Sequence, residues 1–279
     1  NGMRNLLVAN FLRLRKNRLF WGLLLLLFAL GVIFTLHRVE EQQKWGARFY
    51  LTVDLFTYPL FLGFGMAAFI PLFFGAEYSD GAIRNKLVIG HSRLSIYLSH
   101  FITSVIAAIS AAAAYVLPIL LIGFFFYEPP AIETSTLLLL LLGSLVLLAA
   151  YCALYTLVAM NLASKSGAAV LCLVGMLVLY LAAGNIEVRL MQPEYMGGGI
   201  TITDEGIEIP LEQEPNPRYV GGAARAALEA AHDLLPTGQS LQYMRVDVAH
   251  PERLPLYSLI DIIAFTAAGA ALFRRKDLK

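Results

Sequence analysis

Apolar and polar positions fall along this chain in long blocks rather than in short amphipathic periods. Six blocks are almost wholly apolar: residues 19–36, 55–74, 96–126, 136–160, 167–183 and 256–273. A helix needs roughly 20 apolar residues to cross the hydrocarbon core of a bilayer, so each block predicts one membrane span. The third is longer than one crossing requires. It predicts a helix that starts outside the lipid and kinks at Pro118. The first block is followed by His37-Arg38-Val39-Glu40 with no small-residue cleavage site, so it reads as a retained anchor. Asn1-Gly2 ahead of Met3 reads as an added lead, with Met3 the expected natural start.

The polar stretches between the blocks differ in kind. Residues 3–18 predict a helix with Met3, Leu7, Phe11 and Leu14 on one stripe and Arg13, Arg15, Lys16 and Arg18 crowding its second half. Such a helix suits the inner membrane interface. Residues 37–50 read as a short loop of mixed charge, and Asp54 as an interfacial helix cap or a wetted side chain. Residues 77–93 are the one charged island between two long apolar runs. Ser79 or Asp80 would cap a short helix there, Ile83 and Leu87 would share its buried face, Gly81 would weaken its first turn and Gly90 would end it. Residues 161–166 form a tight turn containing Lys165.

The longest polar stretch, residues 184–255, carries 11 acidic and five basic side chains. Alternation over residues 200–209 predicts a β-hairpin. Pro210 to Pro217 reads as a linker, and residues 221–235 as a helix with Ala223, Ala227 and Ala230 available for close packing. Leu235-Pro236-Thr237-Gly238 breaks that helix, and the segment beyond it is expected to rest on or dip into the outer leaflet.

Composition agrees with the blocks. Hydrophobic residues make up 58% of the chain and charged residues 15%, with a mean hydropathy of +0.66. Soluble domains hold about 25% charged residues, so a soluble protein is excluded. The net charge of +1 is uninformative, but its distribution is not. Lys and Arg collect on the cytoplasmic side. With both termini inside, the inner segments hold 13 basic residues against three acidic ones, Glu77, Asp80 and Asp277. The reverse orientation would place those basic clusters outside. The expected fold is thus an all-α polytopic membrane protein with six transmembrane helices. An N-terminal interfacial helix precedes them, and a small α+β extracellular segment separates the fifth from the sixth. Its domains are residues 3–184, the extracellular 185–255, and 256–279.

Candidate chemistry is sparse. Cys152 and Cys172 lie inside apolar runs and read as buried thiols. His91 and His100 are nine apart with no carboxylate cluster beside them, which predicts neither metal nor proton chemistry. The small-residue run Ala107 to Ala114 favours close helix packing. Asp261, inside the sixth block, is a charge at a costly depth. It predicts either pathway lining or a hydrogen bond within the bundle. There is no G-x-x-x-x-G-K-[ST] sequence and no H-E-x-x-H or G-x-S-x-G, so neither ATP hydrolysis nor intramembrane enzyme chemistry is expected of this chain.

One stretch carries a family resemblance. Glu77-Tyr78 at the end of the second span, then Gly81-Ala82, Arg84, Leu87, Gly90 and Arg93, resemble the cytoplasmic loop of permeases of the second ABC exporter type. Ala82 stands where that family usually has Thr, and His100 where a basic residue often opens the third span. The basic lead-in, the six spans, the large segment before the last span and the tail Phe273-Arg274-Arg275-Lys276-Asp277 resemble the same family. The resemblance implies a transport subunit of a bacterial cytoplasmic membrane exporter, paired with a second identical or related permease. It implies a separate ATPase subunit in two copies that binds the ATP and Mg, with no cofactor or metal in this chain and no nucleic-acid partner. By that resemblance residues 77–93 are a coupling helix, and Glu77, Tyr78, Gly81, Arg84, Lys86 and Arg93 meet or position the ATPase. The turn at Lys165 would be a second contact. The layout is similar to permeases exporting bacitracin, lantibiotics or phenol-soluble modulins, which implies peptide cargo. Lipid, drug or sodium export and a secondary transporter remain as alternatives.

Overall fold

A computed structural model describes residues 2–197, 200–202, 208–210, 213–246, 248 and 250–276. Six of its helices are long and apolar enough to cross a membrane. They are α2 (Arg18–Trp45), α4 (Tyr58–Ser79), α6 (Arg93–Phe126), α7 (Thr134–Asn161), α8 (Lys165–Leu190) and α11 (Arg253–Arg275). The protein is a predominantly helical, multi-pass membrane protein. Five of the six apolar blocks lie wholly in one of these helices; the second starts at residue 55, three positions before α4, and every helix runs past its block at one end or both. The overrun is largest in α2. Residues 37–45, expected as loop, continue the helix to Trp45, and Gly46 closes it at φ 63°. Side-chain pairs one turn apart support the extension: Arg38 with Glu41 at 3.0 Å and Lys44 with Glu40 at 2.5 Å. The 34 residues of α6 run unbroken through Pro118. At 1.5 Å per residue that is ~50 Å, longer than a ~30 Å hydrocarbon core.

Five shorter helices are described at the bundle ends, three of them in the first third of the chain. α1 (Gly2–Lys16) lies at the end that carries both termini, and α5 (Ala82–Val88) sits at that same end, between α4 and α6. α3 (Thr52–Leu55) is at the opposite, far end. α1 packs against α6 and buries Leu6, Asn10 and Leu14, leaving Met3, Leu7 and Phe11 only partly covered. Leu14 is buried as expected, while the rest of the stripe shifts by one residue, to Leu6 and Asn10. A polar Asn10 lies on it because Ser99 and Lys86 give that side chain partners. Asn17 caps α2 by accepting the Phe20 N–H at 3.0 Å.

The core runs along the facing sides of α4, α6 and α7. It is rich in aromatic residues, including Tyr58, Phe73, Phe74, Tyr115, Tyr151 and Tyr155. Cys152 and Cys172 are free and buried within it. α11 packs along α7, and α2 along α6.

At the far end, β1 (Tyr195–Gly197) pairs antiparallel with β4 (Gln213–Pro215), Met196 opposite Glu214. Inside them β2 (Ile200–Ile202) pairs with β3 (Glu208–Pro210), Thr201 opposite Ile209. The hairpin arms match the expectation, while the turn between them falls outside the described residues. Residues 213–215, expected as linker, form an outer strand. Buried Asn216 closes its base through bonds to Gln192 Oε1 and the Pro193 and Glu194 carbonyls.

α9 (Gly222–Leu234) follows, with Ala223, Ala227 and Ala230 exposed rather than packed. It rests on α8 through Arg225, which donates to Leu190 O at 3.1 Å. α10 (Pro236–Arg245) was expected at the lipid surface and instead wedges into the far end of the bundle. Its Pro236, Thr237, Gly238, Gln239, Ser240 and Tyr243 are buried. Tyr151 donates to Pro236 O at 3.0 Å, Thr237 to Leu179 O at 3.0 Å and Tyr180 to Ser240 at 2.9 Å. A helix this polar can be buried because the spans supply hydrogen-bond partners for it. Gly143 makes room for it: a Cβ there would stand 2.2 Å from the Tyr243 hydroxyl oxygen.

Candidate functional site

The strongest concentration of buried charge lies at the terminal end, around Glu77. This residue sits in the last turn of α4 and is 3% exposed. Three separate elements converge on its carboxylate. Arg13 of α1 pairs with Oε1, Lys86 of α5 reaches Oε2 at 2.7 Å, and His100 Nε2 of α6 lies 2.9 Å from the same oxygen. Arg13 also donates to Phe73 O and stands over the Phe73 ring at 4.4 Å. Lys86 reaches Asn10 Oδ1 at 3.4 Å, and the Asn10 amide donates to Ser99 at 3.3 Å. His100 Nδ1 lies 2.6 Å from Ile96 O. Both nitrogens of the ring thus face acceptors, so the Glu77–His100 contact holds a proton on one partner or the other.

No carboxylate lies near His100 along the chain. The fold provides one from 23 positions away. Burial, reinforced by the Arg13 charge, brings the Lys86 ammonium down to about 8. Burial also lowers Arg13, against the opposing pull of Asp80.

The turn into α5 is made by Gly81 at φ 67° and ψ 9°. The N-cap position of the helix falls on Gly81, after the expected Ser79 and Asp80. A left-handed turn brings the chain back so that Ile83 is buried, and Gly rather than a capping side chain is what that geometry requires. Gly90, at φ 98°, closes the other end as expected.

The predicted contact residues fall into two groups. Tyr78 donates its hydroxyl to Met160 O and carries the Lys276 ammonium over its ring at 4.0 Å. Arg93 donates to Phe273 O at 2.9 Å and Lys276 O at 2.5 Å, tying the start of α6 to the end of α11. Glu77, Tyr78, Lys86 and Arg93 are thus occupied by bonds within the chain. Arg84 and Lys165 are exposed at the same end of the bundle. The outer face of α5 adds two residues that the sequence reading passed over, Val88 at 80% and Ile89 at 77% exposed. The signal was present. Leu87-Val88-Ile89 are consecutive apolar residues, and a helix with one buried face can hide only the first.

Asp261 lies on α11 and is 6% exposed, with Oδ2 lacking a hydrogen-bond partner among the described residues. One turn before it, Ser258 donates to Gln239 Oε1 of α10 at 2.5 Å. No group of three or more metal-binding side chains occurs among the described residues.

Fold and site together define a six-span helical membrane protein whose short polar helix is clamped to the bundle by one buried carboxylate. No family model matches the chain, and no curated protein matches it.

Proposed function

We propose that this chain is the permease subunit of an ATP-driven exporter of the second ABC exporter type. It would act with a second permease and two copies of a separate ATPase, in a bacterial cytoplasmic membrane with both termini inside. The observation that carries the reading is the two-sidedness of residues 77–93. One side is bolted to α1, α4 and α6 through Glu77, and the other offers Val88, Ile89 and Arg84 outward. Exposed apolar side chains on the turn between two spans suit a covering partner. A lever fixed this firmly converts movement of a docked partner into movement of helices. The sequence resemblance of this loop and of the overall layout names that partner as the ATPase, and peptide as the cargo.

The test is co-purification of the full chain with candidate ATPases. Wild type brings one down, and Val88→Asp with Ile89→Asp loses it while keeping the same unfolding midpoint. The proposal falls if no ATPase accompanies wild type, or if the double variant retains it. Asp261 favours a second reading, a carrier driven by an ion gradient, because an under-partnered carboxylate in a span suits ion coupling. Reconstituted alone, such a carrier would drive uphill transport, whereas an ABC permease would not.

A further inference from the structure

At the far end, well away from Glu77, a cavity of about 550 Å³ opens between α2, α3, α4 and the end of α10. Asp54 lines it and is 3% exposed. It is neither the helix cap nor the wetted side chain that the sequence suggested. Its carboxylate is poorly served. Arg38 Nε and the Tyr127 hydroxyl each stand 3.5 Å from Oδ2, the outer limit of a hydrogen bond, and Arg38 Nε makes no hydrogen bond among the described residues. The neighbouring cations are already engaged. Arg38 bonds Glu41 at 3.0 Å, and Arg245, on the opposite wall, bonds Glu187 at 3.1 Å. Arg38 is thus shared between Glu41 and Asp54, so three carboxylates, Glu41, Asp54 and Glu187, meet two cations, and Asp54 has the longer of the two Arg38 contacts. The cavity wall beside it is aromatic, with Phe34 and Phe61 at 5.4 Å between ring centres.

A buried carboxylate short of donors, next to aromatic faces, is the arrangement that recognises an organic cation. We propose that this cavity binds an alkylammonium group, with Asp54 as its counter-charge and Phe34 and Phe61 as its walls. An ammonium carries the donors that Asp54 lacks, and its chain would follow Leu60 and Met244 along the apolar lining. The group could belong to a free amine or to an amine-bearing lipid, since both present the same chemistry. This inference rests on the cavity alone and is independent of the ATPase reading.

The test uses the full chain in maltoside micelles and two photoactivatable probes, a decylamine and the matching decanol. The amine is expected to label Phe34, Leu60, Phe61 or Met244 in a saturable way, with unlabelled decylammonium displacing it. The alcohol is expected to label the lipid-facing helices without saturation. Asp54→Asn raises the half-saturating amine concentration at least tenfold and leaves the alcohol pattern unchanged. Should that variant not fold, wild type answers the same question by titration. Burial outweighs Arg38 and holds the Asp54 carboxyl above its ordinary value, while Glu41 opposes Arg38 and Tyr115 and Tyr127 are uncharged. Cavity labelling therefore falls as pH is lowered from 7 to 4, where the amine stays charged, with helix content checked at both. Displacement by added phosphatidylethanolamine assigns the site to a lipid headgroup, and its failure assigns it to a free amine. Identical labelling by both probes, or amine labelling that ignores pH and Asp54, overturns the proposal.

Discussion

Replacing Glu77 by Gln removes the anion that Arg13, Lys86 and His100 share and changes almost nothing in shape. The cost can be built from its parts. Lys86 has an escape: it can shed its proton. With its ammonium at about 8 in the native protein, neutralising it at pH 7 costs about 1.4 kcal/mol, which caps its contribution at that pH. Arg13 has no such escape, but its side chain is 36% exposed. The charge-assisted bond it loses, ~1.5–3 kcal/mol when fully buried, is therefore discounted to ~1–2 kcal/mol. His100 keeps an acceptor in the new amide, leaving ~0.5 kcal/mol for the weaker bond. The sum is ~2–4 kcal/mol at pH 7, below the ~3–5 kcal/mol for breaking a wholly buried pair.

The pH dependence follows from Lys86. Its native value lies below the ordinary 10.5, so between about pH 8 and 10.5 the unfolded chain binds more protons and Lys86 makes stability rise with pH. Without Glu77 that window opens at lower pH. Above pH 8 Lys86 is neutral with or without Glu77, so the penalty of Glu77→Gln shrinks by up to ~1.4 kcal/mol from pH 7 to pH 9. In a Lys86→Met background the shrinkage vanishes. The assay is reversible unfolding in mixed micelles followed by circular dichroism, at both pH values. A penalty under ~1 kcal/mol, or one that grows with pH, would refute this account of the cluster.

Three further substitutions test the frame around it. Gly81→Ala places a Cβ on a residue at φ 67°, and a loss of ~1–2 kcal/mol is expected in the same assay. Gly143→Ala drives a Cβ to within 2.2 Å of the Tyr243 hydroxyl. It should cost ~1–3 kcal/mol, and Tyr243→Phe should relieve part of it, since that hydroxyl has no partner to lose among the described residues. Asn17→Ala removes the α2 cap and should lower stability by ~1 kcal/mol, whereas Asn17→Ser should restore most of it.

The spans were legible because lipid imposes a simple rule: an unbroken apolar run of the right length is a helix. Their ends were not, because helix continues wherever charged residues satisfy one another a turn apart, as Arg38–Glu41 and Glu40–Lys44 do. The wedge α10 was hidden for a related reason. Its Thr237, Gln239 and Ser240 look solvated in sequence, and become core only because Tyr180, Leu179 and Ser258 hold matching groups. Asn10 and Glu77 escaped for the same cause. A polar residue is read as exposed until the fold shows what it bonds, and those partners lie 89 and 64 positions away.

The hidden residues bear directly on the proposed function. A coupling element needs two properties that oppose each other in sequence: exposure to meet a partner and rigidity to transmit its motion. Charged residues such as Arg84, Lys86 and Glu77 all read as exposure, yet Lys86 and Glu77 supply the rigidity and the exposed contact passes to apolar Val88 and Ile89. A single carboxylate joining α1, α4, α5 and α6 means that a displacement of α5 cannot be absorbed within the loop without separating Glu77 from Lys86, a step of up to ~1.4 kcal/mol at pH 7. Movement of the attached spans as a body is the lower-cost response. On this reading Glu77→Gln spares ATPase binding at Val88 and Ile89 but uncouples ATP turnover from transport, the opposite of the phenotype expected for the double Asp substitution.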